Sequence, residues 1–559
     1  MTADGHVQKT TRRHVVTLEL DRFQAVEVHR QQAVADSPAP APLAHFVPKG
    51  GTYGYDFMTH VGCETFLQGR QLQSLAHEFP RIPFSSLYDA QHKFLFYFGH
   101  FHRQSAPVLR EWFLQYGGST WLIDATLEAG TPMYFGVYEA QDNLFLDAYR
   151  IPSENADALS PCLRQTADRF GKPRRTLHDL SEAMAAACER ALQGVPHRVC
   201  QFHFLRDIGE DLYAVPQARL RDRLRQLKLQ RRLKEQRNTL TDWLREHLEH
   251  PRLLAEVLLG KRAEMSAATA GREVVIAYHQ WLLDYSHDGR RQGFPFDPYL
   301  LYFHRRVVRG SATVEQLLRD ARVRDRAPQV LKNFASMLRQ YLSDPEVITA
   351  ADQYEAAFSL FHRLRTTLRM AAQGDNPLRD RYLLDESDAA GVQQSLESFR
   401  LECRQRMEEE TAEASRARYR IVCQHLDRYW NQLFAPPEEP CRERTTNGLE
   451  GWWGTSKRRC RQRHGRKKLT REFRSLPAEF MLIGNLENPK YVERVLDGDL
   501  SKLPEKLAAA GRTAGPWTTW RSAQQPLNEG RLPTRLIRHN QFLEELTTVY
   551  DAHCRKESA

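Results

Sequence analysis

A mixed α/β core interrupted by a large all-helical insertion is the architecture this sequence predicts, and three features predict it. From Ser119 onward, short runs rich in β-branched and aromatic residues succeed one another and then alternate with helical stretches. Between about Leu205 and Pro440 the strand signals nearly vanish. After the breaker cluster Pro436-Pro-Glu-Glu-Pro, capping residues lead into a strongly basic helix. A chain of 559 residues exceeds what a single core organises, so two to four folding units are expected.

The first 48 residues read as an N-terminal arm and linker, because Ser37-Pro-Ala-Pro-Ala-Pro favours extended backbone and interrupts helix and sheet alike. Residues 49–115 read as a helical, DNA-binding region. Phe66-Leu-Gln-Gly-Arg-Gln-Leu-Gln-Ser-Leu-Ala and Ser85-Ser-Leu-Tyr-Asp-Ala-Gln-His-Lys-Phe-Leu flank the breaker Pro80-Arg-Ile-Pro, which fits two short helices joined by a turn, with Ser85 as N-cap of the second. Such a pair is either a helix-turn-helix unit whose second helix enters the major groove or a hairpin that only packs, and the residues favour neither.

In residues 116–204, Thr120-Trp-Leu-Ile-Asp-Ala, Met133-Tyr-Phe-Gly-Val-Tyr and Leu144-Phe-Leu-Asp-Ala-Tyr read as a three-stranded meander, separated by Glu128-Ala-Gly-Thr-Pro and Gln141-Asp-Asn. A helix over about 154–170, a short strand Arg175-Thr-Leu-His ending at Asp179, a helix over 181–192 and a strand in His197-Arg-Val-Cys-Gln-Phe-His follow. The order βββαβαβ is that of the ribonuclease H-like fold, a mixed sheet flanked by helices.

Residues 205–440 form the all-helical insertion, with apolar positions at helical spacing such as Leu220, Leu224 and Leu227, or Leu240, Trp243, Leu244 and Leu248. Its Arg- and Gln-rich face from Arg219 to Arg237 is first of all a solvated face, and second a surface for phosphates. The turn-rich Gly293-Phe-Pro-Phe-Asp-Pro reads as a packed corner. Residues 441–488 return to the core, and 489–559 read as a helical, partly flexible tail without chemistry.

Lys and Arg total 80 against 70 acidic residues, and this balance of +10 favours a polyanionic partner over an acidic surface. No apolar run approaches the roughly 18 residues a membrane span needs, and the first 16 residues lack an apolar signal-peptide core. The nine cysteines are scattered without CxxC pairs, which suits a reducing compartment. The expected setting is cytoplasmic, nucleoid-associated and bacterial, without a membrane.

Phosphodiester chemistry asks for divalent cations and therefore for converging carboxylates. Asp124 closes the apolar run Trp121-Leu-Ile on the first strand, Asp179 closes the strand Arg175-Thr-Leu-His before a helix, and Glu450 sits about one turn into the helix that follows Thr445-Thr-Asn-Gly. Behind Glu450 comes a basic run, Lys457, Arg458, Arg459, Arg461, Arg463, Arg466, Lys467 and Lys468, suited to DNA phosphates. Singly, each acid has an ordinary reading: Asp124 as a turn residue, Asp179 as an N-cap, Glu450 as a charge favouring a helix N-terminus. Glu182, one turn beyond Asp179, competes with it as the second ligand. Trp452 and Trp453 are expected to pack their helix on the core rather than to stack on an unpaired base.

Taken together, Asp124, Asp179, the Cys200-Gln-Phe-His203 motif and Thr446-Asn447-Gly-Leu-Glu450 resemble the DDE transposases with a ribonuclease H-like core and a helical insertion before the last acid. These include the Mutator-like group and related bacterial insertion-sequence transposases. The resemblance covers about residues 118–475, with Cys200 and His203 matching the Cys-x-x-His motif and Asn447 and Glu450 the Asn-x-x-Glu signature. It implies two Mg2+ (or Mn2+) ions held by Asp124, Asp179 and Glu450, nicking at transposon ends, and attack of the exposed 3′ hydroxyl on target DNA. The implied partners are double-stranded DNA, as terminal inverted repeats and target, and further copies of the chain in a paired-end complex. Cys200 and His203 are two ligands, too few for zinc, and are taken as a structural pair beside the centre. Two other readings stay open: another ribonuclease H-like nuclease such as a junction resolvase, and a domesticated DNA-binding protein without catalysis.

Overall fold

Trp121, Leu122 and Ile123 are buried in succession, as in a strand flanked on both edges and covered on both faces. In the computed structural model, which describes residues 7–18, 23–30, 42–246, 255–256, 259–261, 267–370, 386–434, 443–521, 541 and 543–549, this run is the central strand of a five-stranded mixed sheet. The molecule divides into two compact units, residues 1–200 with 445–559, and residues 201–444.

The first unit opens with an antiparallel ribbon, β1 (Val7–Val15) and β2 (Phe23–Arg30), where the sequence suggested only an arm. Val15, at its end, is buried with Val47. The Pro-rich linker from Ser37 lies outside the described residues except for Pro42, which opens a short 3-10 turn, Pro42–His45. Next come α1 (Tyr55–Phe66), α2 (Leu72–Glu78), α3 (Phe84–Gln104) and α4 (Ala106–Leu114).

Two helices joined by a turn are indeed present over 72–104, but the second differs from the expectation. It starts at Phe84 with Pro83, not Ser85, in the capping position, since proline's fixed φ sets the extended entry and its carbonyl accepts from Ser86 and Leu87. From Ala90 to His102 it is buried almost all round, and His102 links Tyr491 Oη (2.9 Å) to the carbonyl oxygen of Leu146 (2.8 Å). Phe84 and Tyr88 are exposed, so only its first two turns present a free face. The helix is a pillar of the core along most of its length.

The sheet follows: β3 (Thr120–Thr126), β4 (Met133–Glu139), β5 (Leu144–Ile151), α5 (Ala156–Phe170), β6 (Arg175–His178), α6 (Glu182–Ala191) and β7 (His197–Val199). The strand order is β5-β4-β3-β6-β7. The first three strands pair antiparallel, whereas β6 joins β3 and β7 joins β6 in parallel, each through a helical crossover of the kind parallel pairing requires. Asn155 and Ser181 cap the two crossover helices by accepting from Ala158 N–H and Met184 N–H. The last strand stops at Val199, shorter than its sequence suggested: Cys200 N–H donates to the His178 carbonyl (2.6 Å), and Gln201-Phe-His203 is already helical.

The second unit is helical throughout its described residues: α7 (Gln201–Gln226), α8 (Leu229–Arg245), α9 (Ala267–Leu283), α10 (Tyr299–Arg319), α11 (Ala321–Arg326), α12 (Gln329–Leu342), α13 (Pro345–Thr367), α14 (Glu386–Glu409) and α15 (Glu413–Leu433). Arg223 on α7 forms a forked pair with Asp344 (3.0 and 2.6 Å), the N-cap of α13, and Arg305 on α10 does the same with Glu355 (2.6 Å). The corner around Gly293 is packed as expected, with Phe294 against Tyr213 and Phe296 against Phe361. The proline cluster at 436–440 lies outside the described residues.

The chain re-enters the first unit through α16 (Asn447–His464) and α17 (Thr470–Ser475), then a buried 3-10 segment, Ala478–Glu487. Asn485 there uses its side-chain amide as a strand would, donating to the Phe145 carbonyl (2.8 Å) and accepting from Phe145 N–H (2.9 Å), which closes the free edge of β5. The tail is helical, as expected, and its helices are packed into the core as far as Gly511. Helices α18 (Pro489–Leu496) and α19 (Leu503–Gly511) bury Tyr491, Leu496, Leu503 and Leu507, because each carries an apolar stripe. No helix among the described residues is long and apolar enough to cross a membrane.

Candidate functional site

Pairing register places the first two acids. Leu122 of β3 lies beside Leu177 of β6, and continuing the parallel register by two residues sets Asp124 level with Asp179, just past the end of β6. Side chains alternate along a strand, so Asp124 shares a sheet face with Leu122. On β4 the positions opposite are Tyr138 and Gly136.

That face is roofed by α16. A side chain at Gly448 would touch Tyr138 (3.4 Å) and Leu122 (3.6 Å), and Leu449 and Trp453 are buried beneath the helix. Gly136 is what lets the helix come so close: a Cβ there would lie 2.8 Å from the Trp453 ring and 2.5 Å from Phe145. Gly484 leaves similar room for Trp452, whose indole N–H donates to the Met481 carbonyl (2.9 Å). Both tryptophans therefore pack the helix onto the core, as their sequence context suggested. Trp453 does more. Its indole N–H donates to Asp124 Oδ2 (2.9 Å), tying the first acid to the helix that carries Glu450 one turn earlier.

The N-terminus of α16 is fixed by a second set of bonds. Cys200, buried beside the end of β7, accepts from Thr446 N–H through Sγ (3.3 Å), while its own N–H binds the His178 carbonyl next to Asp179. Thr446 Oγ1 donates to Glu450 Oε1 (2.9 Å). One short path of hydrogen bonds thus runs from the end of β6, through Cys200 and Thr446, to Glu450. Asn447, the first residue of α16, is exposed, and His203 lies on α7 in the second unit, its ring edge-on to Phe202.

Electrostatics links the three acids. Burial foremost, and then the negative charges of Asp179 and Glu450, push the Asp124 carboxyl up to about 7, against the stabilising hydrogen bonds of Ala125 N–H and Trp453. Asp179 Oδ1 accepts from Ser181 N–H (2.9 Å) in the turn before α6, and Ser181 rather than Asp179 is the N-cap of that helix. Glu182 is exposed in the first turn of that helix. The acids are near enough to repel one another, yet among the described residues no three His, Cys, Asp or Glu side chains are gathered closely enough to hold a metal ion. The donor set itself, hard carboxylate oxygens, is of the type Mg2+ and Mn2+ prefer.

The basic run divides in two. Lys457 binds the Leu127 carbonyl (3.0 Å) and stands 3.5 Å from Glu128, with Arg461 3.8 Å from the same carboxylate, so both secure the loop after β3. Arg459 pairs with Glu487 (2.5 Å). Arg463 is buried, bonded to Glu472 and set 4.6 Å over the Phe66 ring, which makes it a packing residue. Arg458, Arg466, Lys467 and Lys468 are exposed. Burial first, and then neighbouring cations, hold His464 down to about 4, although its ring stands 2.6 Å from the Glu472 carboxylate.

Sequence reasoning passed over Thr446 and Gly136 and gave Trp453 no bond to an acid. A lone glycine in a strand was the available sign of close approach at 136, and a hydroxyl four residues before Glu450 was the sign at 446. Compared with protein-family models and with characterised proteins, the sequence matches none.

Proposed function

We propose that this protein is a metal-dependent enzyme of DNA strand cleavage and transfer, a DDE-type transposase built on a ribonuclease H-like core. One observation carries the reading: Asp124, buried on the central strand, is raised to about 7 by that burial and by the charges of Asp179, just past the end of the next parallel strand, and of Glu450 on the roofing helix. Acids held against their own repulsion at the end of a central strand are costly to the fold and are the usual mark of a site for a cationic ligand. The strand order, with three antiparallel strands and two parallel ones beyond the first, supports the same fold assignment.

Asp124, Asp179 and Glu450 would hold the ions on drawing closer than they stand in this structure, with Asp179 preferred to Glu182 because its charge is one that Asp124 feels. Two Mg2+ or Mn2+ ions, when bound, supply activation of the attacking oxygen and stabilisation of the leaving one. Trp453 orients the Asp124 carboxylate, and Thr446 restrains that of Glu450. Exposed Arg458, Arg466, Lys467 and Lys468 offer charge to DNA phosphates beyond the site. Double-stranded element ends and target DNA are the substrates, acted on by paired copies of the chain inside the cell.

The test is strand transfer with DNA carrying the inverted repeats that bound the protein's own gene, in Mg2+ or Mn2+. Cleavage exposing a 3′ hydroxyl, joining to a target plasmid, and loss of both in Asp124→Asn and Glu450→Gln are expected. Cleavage without joining would point to a nuclease or resolvase instead. End-specific binding with no cleavage by the wild type, unaltered in Asp124→Asn, would mark a binding protein and overturn the proposal.

A further inference from the structure

The second unit holds a concave surface of a different kind. Helix α7 gives way to α8 at Lys228, which adopts a left-handed φ of 54°, and the bend opens onto a cleft of about 790 Å³. Arg221 and Arg225 on α7, Lys228 at the bend, and Arg231 and Lys234 on α8 line one side of it. Tyr285, Phe294 and Tyr299 line the cleft with them, each half-buried.

The basic stretch from Arg219 to Arg237 is therefore sorted by the fold. Arg219, Arg223 and Arg232 reach to neighbouring helices, to Gln353 (3.3 Å), Asp344 and Gln340 (3.1 Å), and tie helices together. The five cleft cations have no such task. Arg231 pairs along its own helix with Glu235 (2.7 Å), Arg221 and Arg225 stand 3.6 and 3.8 Å from Asp222, and Lys228 and Lys234 have no side-chain bond or ion pair among the described residues. The other acid of the lining, Asp297, is buried and turned to its own loop, accepting from the N–H groups of Arg290 (2.8 Å), Gln292 (2.6 Å) and Gly293 (3.1 Å). Five cations against Glu235 and Asp297 leave the concavity with a net positive charge.

A plain solvated face spreads its charges over a convex surface, where water and salt screen each one. In the α7–α8 bend they converge on a cleft, which focuses the field, and aromatic rings border it. Cations repeated once per helical turn beside aromatic side chains are the combination that binds a nucleic-acid strand, with phosphates on the charges and bases against the rings. We propose that the α7–α8 bend is a nucleic-acid-binding cleft in which Arg221, Arg225, Lys228, Arg231 and Lys234 engage the phosphodiester backbone. The choice of DNA as the nucleic acid rests on the function proposed above; the cleft itself does not.

The experiment measures binding of the full chain to a fluorescent oligonucleotide of about 20 nucleotides, single-stranded or duplex, across a salt series. EDTA is present throughout, so that no metal-dependent step runs. Lys228→Glu/Lys234→Glu is compared with the wild type and with Arg322→Glu/Lys332→Glu, an equal charge change elsewhere on the same unit. The expected result for the cleft pair is at least a ten-fold loss of affinity and a salt slope smaller by about 1–2, against less than two-fold for the control pair. Stronger binding of the single strand or of the duplex identifies which form the cleft takes, and loss of either in the cleft pair supports the proposal. Equal losses in both pairs, or none in the cleft pair, would overturn it. Strand transfer by the wild type in Mg2+, measured separately, reports on the catalytic reading, so a failed cleft and a failed catalytic reading are told apart.

Discussion

Replacing Asp124 by asparagine tests the electrostatics of the acid cluster without DNA. Asparagine keeps an oxygen to accept from the Trp453 indole and removes the charge that Asp179 and Glu450 oppose. In the folded protein the Asp124 carboxyl is raised from 3.8 to about 7. A raised acid favours the fold while protonated. Its contribution is fully present below the unfolded value near 3.8 and is lost as pH rises through 7. The interval corresponds to at most about 4 kcal/mol, of which roughly 2–3 kcal/mol falls between about pH 5 and pH 8. Asp124→Asn has no such loss, so its stability relative to wild type should rise by that amount over the same range. In metal-free buffer, thermal melts at the two ends of the range should show the difference widening by roughly 3–5 °C. Saturating Mn2+ at the upper pH should then raise the wild type by about 2–3 kcal/mol, at 100 times the dissociation constant, and leave the variant unmoved. A stability difference independent of pH would refute the raised Asp124 carboxyl and the repulsion among the three acids that it implies.

Other perturbations probe the supports of the site. Trp453→Phe removes the donor that favours the charged form, so the pH midpoint of the wild-type melting curve should move upward from about 7; an unchanged midpoint would separate Trp453 from Asp124. Cys200→Ala leaves the buried Thr446 N–H without its acceptor and should lower stability by about 1–3 kcal/mol in urea unfolding, with Cys200→Ser nearer to wild type. Gly136→Ala puts a methyl group 2.8 Å from Trp453 and 2.5 Å from Phe145, so a loss of about 1–3 kcal/mol and of DNA cleavage together is expected. Asn485→Leu removes both bonds to Phe145 and should cost about 2–4 kcal/mol, read by the same unfolding measurements.

Much of the architecture was legible because its signals are local. The apolar runs at Trp121, Met133 and Leu144 each contain enough β-branched and aromatic residues to specify a strand, and the leucine spacing after Leu205 specifies helices without reference to any partner. Positions of the three acids at a strand end, a strand end and a helix start follow from those local patterns too. The shortness of β7 was hidden because Val199, Cys200 and Phe202 suit a strand as well as the first turn of α7. For α3, an apolar run could not say how many neighbours would cover it, and the answer came from distant elements, the 3-10 segment after Pro477 and α19.

By itself the sequence determined the kinds of element from Ser119 onward, their order along the chain, and the surplus of basic charge, since these depend on neighbouring residues and on composition, whereas the β1–β2 ribbon escaped it. Only the tertiary structure decided that Asp124 stands level with Asp179, that the Trp453 indole holds its carboxylate, and that Cys200 and Thr446 lead to Glu450. It also decided which cations are internal, such as Arg463 and Arg223, and which line a cleft, such as Lys228 and Lys234. The reason is the same in each case. Helical and strand periodicity is set by rotation about bonds within a few residues, whereas an acid's charge state and an arginine's partner depend on groups hundreds of residues away, brought together only when the sheet and its roofing helix close.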